Sequence, residues 1–581
     1  MLISFLILMN IFGYAQQKSV HEEQSDFYKA IGAKSDKQYD SINGYAGRQI
    51  VNRNENQLQK RVFGYHPYWI GNAWQNYRWD LLSDLCYFSY ETDPATGNPT
   101  TTNGFETAAV IDTALSHGVK VHLCVTLFSG HATFFSNALA QQTLIGNLIN
   151  LLIQRGASGV NIDFEAVPSS QQQALTNFII QLSDALHTNL PGAELSIAAP
   201  AVNWSNTFDL QAITPALDLV MIMAYDYYYG GSSLAGPVSG YWPLTSSFNY
   251  SVSRSLGYYQ SQGVPNDKLL LGLPYYGREW PVSSNTLPAG TTGSGTAVTY
   301  RNVRGNSSGF YTPSNFYWDY RSYNPYYSYF NNNWRQCFYD DTRSLGAKYD
   351  MVNRRNTAGI GIWALGYDDG YPDLWDLIAE KFTGNPVQLC RDTINDSGGP
   401  WWNYGNSEIY TETVVVDSPG PLSLQFEQFS LENAFDSLWI YDGSDASAAL
   451  LVALSGNEIP TNIITSGNSF TIRFQSDGAS NQAGYTIVWS CPTAAIKHPD
   501  ISKFAIYPNP ASEQLKIIPK ENFTGNCSAR LYDLNGKLVK SVNTGISQLL
   551  SIPVNDCRQG IYLLQIVTHE YIYSQKIVIV H

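Results

Sequence analysis

The chain has 581 residues, of which 14% are charged and 14% aromatic, and its formal net charge is −14. That length exceeds one ordinary domain and leads us to expect three or four, each with its own core. The acidic balance argues against a phosphate-backbone partner, because no basic patch stands ready to release counterions. The 40 Tyr and 14 Trp exceed what packing demands and favour surfaces that stack on flat ligands such as sugars.

Residues 2–9, LISFLILM, followed by NIFGYA, read as the apolar core and small-residue cleavage site of a secretory signal ending at Ala15. The run is too short to cross a membrane as a helix, and no other stretch approaches that length. Residues 16–60 are polar, with few apolar positions at any period, and read as a linker or pro-segment. From 61 to 385, eight short β-like runs (VFGYHPYW, LCYFSY, VHLCVTL, GVNIDFE, LSIAAPA, LVMIMAYD, LLLGLPYYG, GIGIWALG) alternate with helix-like segments such as 140–154 and 170–188. Near-continuous apolar strands with intervening helices predict a closed parallel (β/α)8 TIM barrel. About 278–358, between the seventh and eighth strands, is long for one connection and predicts an inserted subdomain.

The helix signal stops at 390. Alternating strands with Gly, Asn and Ser turns then predict a β-sandwich over 390–491. A linker at 492–503 precedes a second small β-sandwich over 504–581. With 7 cysteines in an exported chain, disulfides are permitted but at least one thiol stays free. Cys86 and Cys124 lie in apolar runs and read as buried thiols, whereas Cys390 and Cys491 bracket the sandwich and are candidates to staple it.

The stretch GASGVNIDFEAVP (156–168) carries the chemistry. Period two puts Val160, Ile162 and Phe164 on one face of a strand and Asn161, Asp163 and Glu165 on the other. At the carboxyl end of a barrel strand that second face looks into the mouth, where active sites are built. Burying carboxylates is costly unless they are paired, and no Lys or Arg lies nearby in sequence.

GVNIDFE resembles the strand-four signature of family 18 glycoside hydrolases, the chitinase family. MAYD (223–226), GLPYYGREW (272–280), YDDTRSLGAKY (339–349) and GIWALGYDD (361–369) follow in that family's order, so the likeness covers roughly 61–385. The resemblance implies a retaining glycosidase that supplies an acid but no nucleophile: Glu165 would protonate the glycosidic oxygen while the substrate's 2-acetamido oxygen attacks the anomeric carbon. Asp163 would hold the acetamido N–H, Tyr225 and Asp226 would bond around the same group, and Trp363 would floor the sugar. Asn161, Met223, Tyr65, Tyr276 and Arg278 fall on positions that line the substrate in such enzymes. No cofactor is implied for catalysis. Ser158, Asn161 and His131 depart from the usual pattern. Asn161, standing where the middle Asp usually does, is expected to donate its amide to Asp163. The GVNIDFE form resembles the branch containing spore-cortex and peptidoglycan glucosaminidases, so chitin and peptidoglycan both stand as substrates. A non-catalytic carbohydrate-binding surface protein is the rival from another class.

DSGGPWWNYGNSE (396–408), FDSLWIYDG (435–443) and SFTIRFQSDGASNQAGY (469–485) resemble a CUB domain, in which Glu432, Asp436 and Asp477 match calcium-binding positions. Trp401, Trp402 and Tyr404 read either as contacts for a glycan or protein or as packing residues. FAIYPNPASEQLKI (504–517), GIYLLQIV (560–567) and the terminal KIVIVH resemble the C-terminal sorting domain of type IX secretion. That implies the secretion machinery as a partner and the cell surface or medium as destination.

Overall fold

The computed structural model describes residues 18–33, 35–49, 57–384, 390–417, 420–491, and 504–581 apart from 521–525, 534–537, 546–549 and 568–571. The signal expected at 1–15 and the linker expected at 492–503 lie outside the described residues.

Strands β1 (Arg61–Pro67), β2 (Asp84–Thr92), β3 (Lys120–Leu127), β4 (Gly159–Phe164), β5 (Glu194–Pro200), β6 (Leu219–Met223), β7 (Leu269–Pro274) and β8 (Gly359–Trp363) pair in parallel. Each pairs with its chain neighbour, and β8 returns to β1, so the barrel closes. Strands β6, β7 and β8 are buried at every position, which is why they read as unbroken apolar runs rather than alternating ones. At the amino-terminal ends of the strands Arg61 pairs with Asp84 and Glu194, and His122 meets Asp84 at 3.0 Å, tying that end shut.

Two helices precede the barrel, α1 (Val20–Ile31) and α2 (Asp36–Asn43). A segment read as linker or pro-segment is therefore folded, and Ser19 and Ser35 cap its helices. Helix α3 (Ala138–Arg155) starts on an Asn137 cap and ends at Gly156, whose φ of 64° makes the left-handed stop. In α4 (Gln172–Asn189), Leu175, Phe178, Ile179, Leu182 and Leu186 recur at helical spacing and are buried. Phe178 lies parallel to Phe164, ring centroids 5.7 Å apart. Phe164 thus faces outward onto α4, and alternation sends Asp163 inward.

The long connection after β7 forms a five-stranded antiparallel sheet built from residues 276–338, with Tyr276–Val282 near its centre. It begins slightly before the expected 278, and Thr342–Arg354 returns as a helix to the barrel.

From Arg391 to Ser490 two four-stranded sheets form a sandwich whose ends are joined by the disulfide Cys390–Cys491. Cys86, Cys124, Cys337 and Cys557 are buried free thiols. The sandwich is seated on the barrel. Glu412 accepts from Arg355 at 2.9 Å and from Arg354 at 3.1 Å, and the Arg355 guanidinium lies 3.9 Å from the Tyr410 ring centre. Trp402 donates to the Pro243 carbonyl at 2.8 Å and Trp401 to that of Tyr320 at 3.2 Å, so both indole N–H groups serve domain docking. Tyr404 is buried and donates to Asp436. Residues 504–581 carry a three-stranded and a four-stranded antiparallel sheet over their own core, which includes Leu515, Ile552, Leu564 and Ile577.

Candidate active site

Asn161 and Asp163 are fully buried inside the barrel, and Glu165 follows at the carboxyl end of β4 with 11% of its side chain exposed. The Glu165 N–H donates to the Leu127 carbonyl at 3.2 Å, and Ala166 then takes a φ of 61°, turning the chain away so that the Glu165 carboxyl stands at the mouth. His131 donates to the same carbonyl at 3.1 Å.

The Asn161 amide does not reach Asp163, contrary to the sequence expectation. Its Oδ1 accepts from the Tyr65 hydroxyl at 2.9 Å, and its Nδ2 donates to Ser196 Oγ on β5 at 2.9 Å. A side chain at period two points along the same direction as Asp163 without touching it, and the neighbouring strands supply nearer partners. Asp163 Oδ1 is buried and has no hydrogen-bond partner among the described residues.

Tyr225 and Asp226 follow β6, and Asp226 holds a φ of 56°. That strained backbone turns its carboxylate toward Tyr276, whose hydroxyl donates at 2.6 Å, and toward Arg278, 3.6 Å away. Trp363 ends β8, fully buried. Met223 ends β6 and, with Glu165, Asn203 and Trp204, lines a groove of about 130 Å³. Every barrel residue selected from the sequence is therefore drawn to this end of the barrel. Glu432, Asp436 and Asp477 converge elsewhere, on the sandwich, with ligand atoms within 4.8 Å of one another.

The sequence reading missed the residues that contact this site most closely. Ser19 donates to Glu165 Oε1 at 2.7 Å, and the Val20 N–H donates to Asp226 Oδ2 at 3.2 Å. His21 is fully buried: Nδ1 lies 2.8 Å from Asp163 Oδ2 and 3.3 Å from Glu165 Oε1, while Nε2 lies 2.9 Å from the Tyr225 hydroxyl. Glu23 pairs with Arg278 at 3.0 Å, and Gln24 Oε1 accepts from Trp363 at 3.0 Å and from Tyr367 at 2.8 Å. No sequence motif marks SVHEEQ, because its partners lie 142 to 343 positions away.

Burial opposes a charge on His21, but Asp163 and then Glu165 outweigh it and raise its pKa to about 10, so both ring nitrogens carry protons. The Glu165 carboxyl is held above its ordinary pKa by burial and by the Asp163 charge, with His21 and Ser19 pulling against them. An upward shift is the direction that a general acid requires.

Residues 61–368 match the model for glycosyl hydrolases family 18, 394–489 match the CUB domain, and 505–580 match the secretion system C-terminal sorting domain. The chain is 28% identical over 324 residues to the cortical fragment-lytic enzyme of Bacillus anthracis, covering 52% of this chain and 69% of that one. It is 27% identical over 263 residues to a class V chitinase of Arabidopsis thaliana, covering 42% and 66%. The chain thus spans about two thirds of the length of these curated relatives. Among solved structures, a family 18 chitinase from Cycas revoluta in complex with (GlcNAc)4 superposes with a TM-score of 0.50 at 20% identity, over 55% of this chain and 99% of that one. With more than half of its length in that family's model and a closed eight-stranded parallel barrel beneath the match, the chain belongs to glycosyl hydrolase family 18.

Proposed function

We propose that the chain is an exported retaining glycosidase that cleaves β-1,4-linked N-acetylglucosamine polymers, chitin foremost. The observation that carries this reading is the convergence of Asp163, Glu165 and Tyr225 on one point beside the Trp363 indole, a point now taken by a single imidazole. In the first step Glu165 gives its proton to the glycosidic oxygen, the C1–O bond breaks, and the acetamido oxygen closes onto C1 as an oxazolinium ring. Asp163, whose Oδ1 lacks a partner, accepts the acetamido N–H and offsets the positive charge. Tyr225 bonds to the acetamido oxygen, and Trp363 stacks under the sugar. In the second step the Glu165 carboxylate takes a proton from water, whose oxygen adds to C1 as the ring opens, with net retention.

Peptidoglycan is the second substrate, supported by the likeness to the cortical fragment-lytic enzyme. The sorting domain supports secretion to the outer surface, and no helix among the described residues is long and apolar enough to cross a membrane. In the sandwich, Glu432, Asp436 and Asp477 would hold Ca²⁺; all donors are oxygen, and Glu432 Oε2 is buried with no hydrogen-bond partner among the described residues.

The test is incubation with chitin oligomers and with purified peptidoglycan, identifying released ends by mass spectrometry and the nascent anomer by NMR. A β-anomer product from an N-acetylglucosamine chain supports the reading. An α-anomer, or binding without cleavage once the site is open, sinks it.

A further inference from the structure

The amino-terminal helices occupy the place where a sugar would react. His21 lies on the Trp363 indole with ring centroids 3.7 Å apart and 29° between planes. It is a flat ring carrying positive charge, with one N–H on Asp163 and the other on Tyr225. An oxazolinium ring is also flat and cationic and would present its N–H to the same carboxylate. Ser19 meanwhile donates to Glu165 Oε1 and so occupies the carboxyl oxygen at which a glycosidic oxygen would have to arrive.

The seat for this segment is shaped beyond the catalytic groups. Tyr28 lies parallel to Trp69, centroids 4.9 Å apart and 10° between planes. Gly71 takes a φ of 66°, and a Cβ there would come within 2.4 Å of Asp40 Oδ1 and 2.9 Å of the Asp36 carbonyl. Asp40 accepts from the Asn72 N–H at 2.7 Å and from its amide at 2.8 Å. Past α2 the chain is held by polar contacts, Ala46 N–H to Asp369 and Gln49 N–H to Asn76, and Arg48 between them is exposed. No strand of the barrel is contributed by residues 18–49, so the barrel closes without them.

We propose that residues 18–49 are a removable inhibitor, a peptide ligand of the catalytic cleft that fills the reacting-sugar subsite until proteolysis near Arg48 releases it. Because it is tethered to the barrel, the segment acts at an effective concentration that a free oligosaccharide must outcompete. It does not line the groove beside Glu165, Met223 and Trp204, which stays open while the point beside Trp363 is filled. The identification of the subsite rests on the glycosidase reading above; the occupation of the cleft does not.

The experiment compares the full-length chain, its His21→Ala and Glu23→Arg variants, and wild type nicked by trypsin and freed of the segment. Two readouts are taken with a soluble N-acetylglucosamine tetramer: hydrolysis, and binding by tryptophan fluorescence. Glu23 has 42% of its side chain exposed, so reversing its charge opposes Arg278 without disturbing a core. Unchanged thermal unfolding of that variant guards against a folding defect. We expect binding and turnover at least about tenfold higher in the loosened and nicked forms, and a synthetic peptide of residues 18–49 restoring inhibition through KM alone. Equal binding in uncut wild type and all loosened forms overturns the proposal, whatever the turnover. Binding that rises on loosening with no hydrolysis in any form supports the inhibitor and sinks the glycosidase.

Discussion

The imidazole of His21 is stacked on Trp363 and hydrogen-bonded to Asp163, two residues from opposite parts of the barrel strand order that this ring bridges. Its charge gives the contact a pH signature. The groups facing it are Asp163, Glu165, Tyr225 and Tyr65, and both phenols are held well above their ordinary range, by burial first, so they stay neutral. A histidine raised from 6.5 to about 10 contributes stability that is full below its unfolded value and is lost as pH rises through the folded one. Protease susceptibility of α1 should therefore be flat below about pH 6.5, climb steadily from there and level off above about pH 10, with the barrel still folded. Protection that persists unchanged past that point would show the ring to be neutral.

Glu165→Gln in the nicked enzyme should keep tetramer binding and lower turnover on an unactivated substrate by about 10²- to 10⁴-fold. A substrate with an acidic phenol as leaving group should recover much of that loss, because it departs without a proton. Turnover above about a tenth of wild type on the unactivated substrate would remove Glu165 from the acid role.

Glu412 couples the sandwich to the barrel. Burial alone would raise its pKa, but Arg355 and Arg354 lower it below the ordinary 4.5. A depressed carboxylate contributes stability that is present above its unfolded pKa and lost as pH falls through the folded one. Calorimetry should show the sandwich uncoupling from the barrel on acidification below about pH 4.5. Glu412→Gln, which leaves the buried Arg355 guanidinium without its counter-charge and takes one of two carboxylates from the part-buried Arg354, should cost about 3 to 5 kcal/mol at neutral pH. A loss under about 1 kcal/mol would make the pair incidental.

The barrel was legible because buried parallel strands have no polar face to hide, so LVMIM and GIGIW announce themselves. Asp163 and Glu165 were legible because carboxylates in an apolar strand need a reason. The inhibitor was not. SVHEEQ looks like any polar helix start, and its meaning resides in Trp363, Tyr225 and Arg278, which folding alone brings to it. The partner of the Asn161 amide was misread for a related cause: spacing along one strand fixes a direction, while the hydrogen bond is decided by Ser196 and Tyr65 on other strands.

If the acidic cluster of the sandwich takes Ca²⁺, millimolar Ca²⁺ should raise the sandwich's unfolding temperature and EDTA should lower it, with Asp436→Asn abolishing the difference. Tyr404 and the Asp477 N–H both bond to Asp436, so this carboxylate organises the cluster. An unfolding temperature indifferent to Ca²⁺ would leave Glu432, Asp436 and Asp477 as a solvated acidic rim.

Asn161→Asp tests the least typical residue of β4. The amide now bridges Tyr65 and Ser196, and the Ser196 hydroxyl in turn donates to the Val160 carbonyl at 3.2 Å. Replacing Nδ2 by oxygen sets a second acceptor against Ser196 Oγ, so either that hydroxyl turns from Val160 or the new carboxyl keeps a proton. In the first case a negative charge is added two residues from Asp163 on the same face of the strand, and Glu165 holds its proton to higher pH. In the second the new carboxyl donates to Ser196 Oγ in the amide's place and, lying on the same face as Asp163 without touching it, titrates with it as a pair coupled through their charges. Both routes alter the basic limb of kcat/KM against pH in the nicked enzyme: the first moves it upward by roughly one unit or less, the second broadens it. Activity should survive, since Glu165 and Asp163 are untouched. A profile that superimposes on wild type would mean that Asn161 only spaces Tyr65 from Ser196 and that the charge at this position does not reach Glu165.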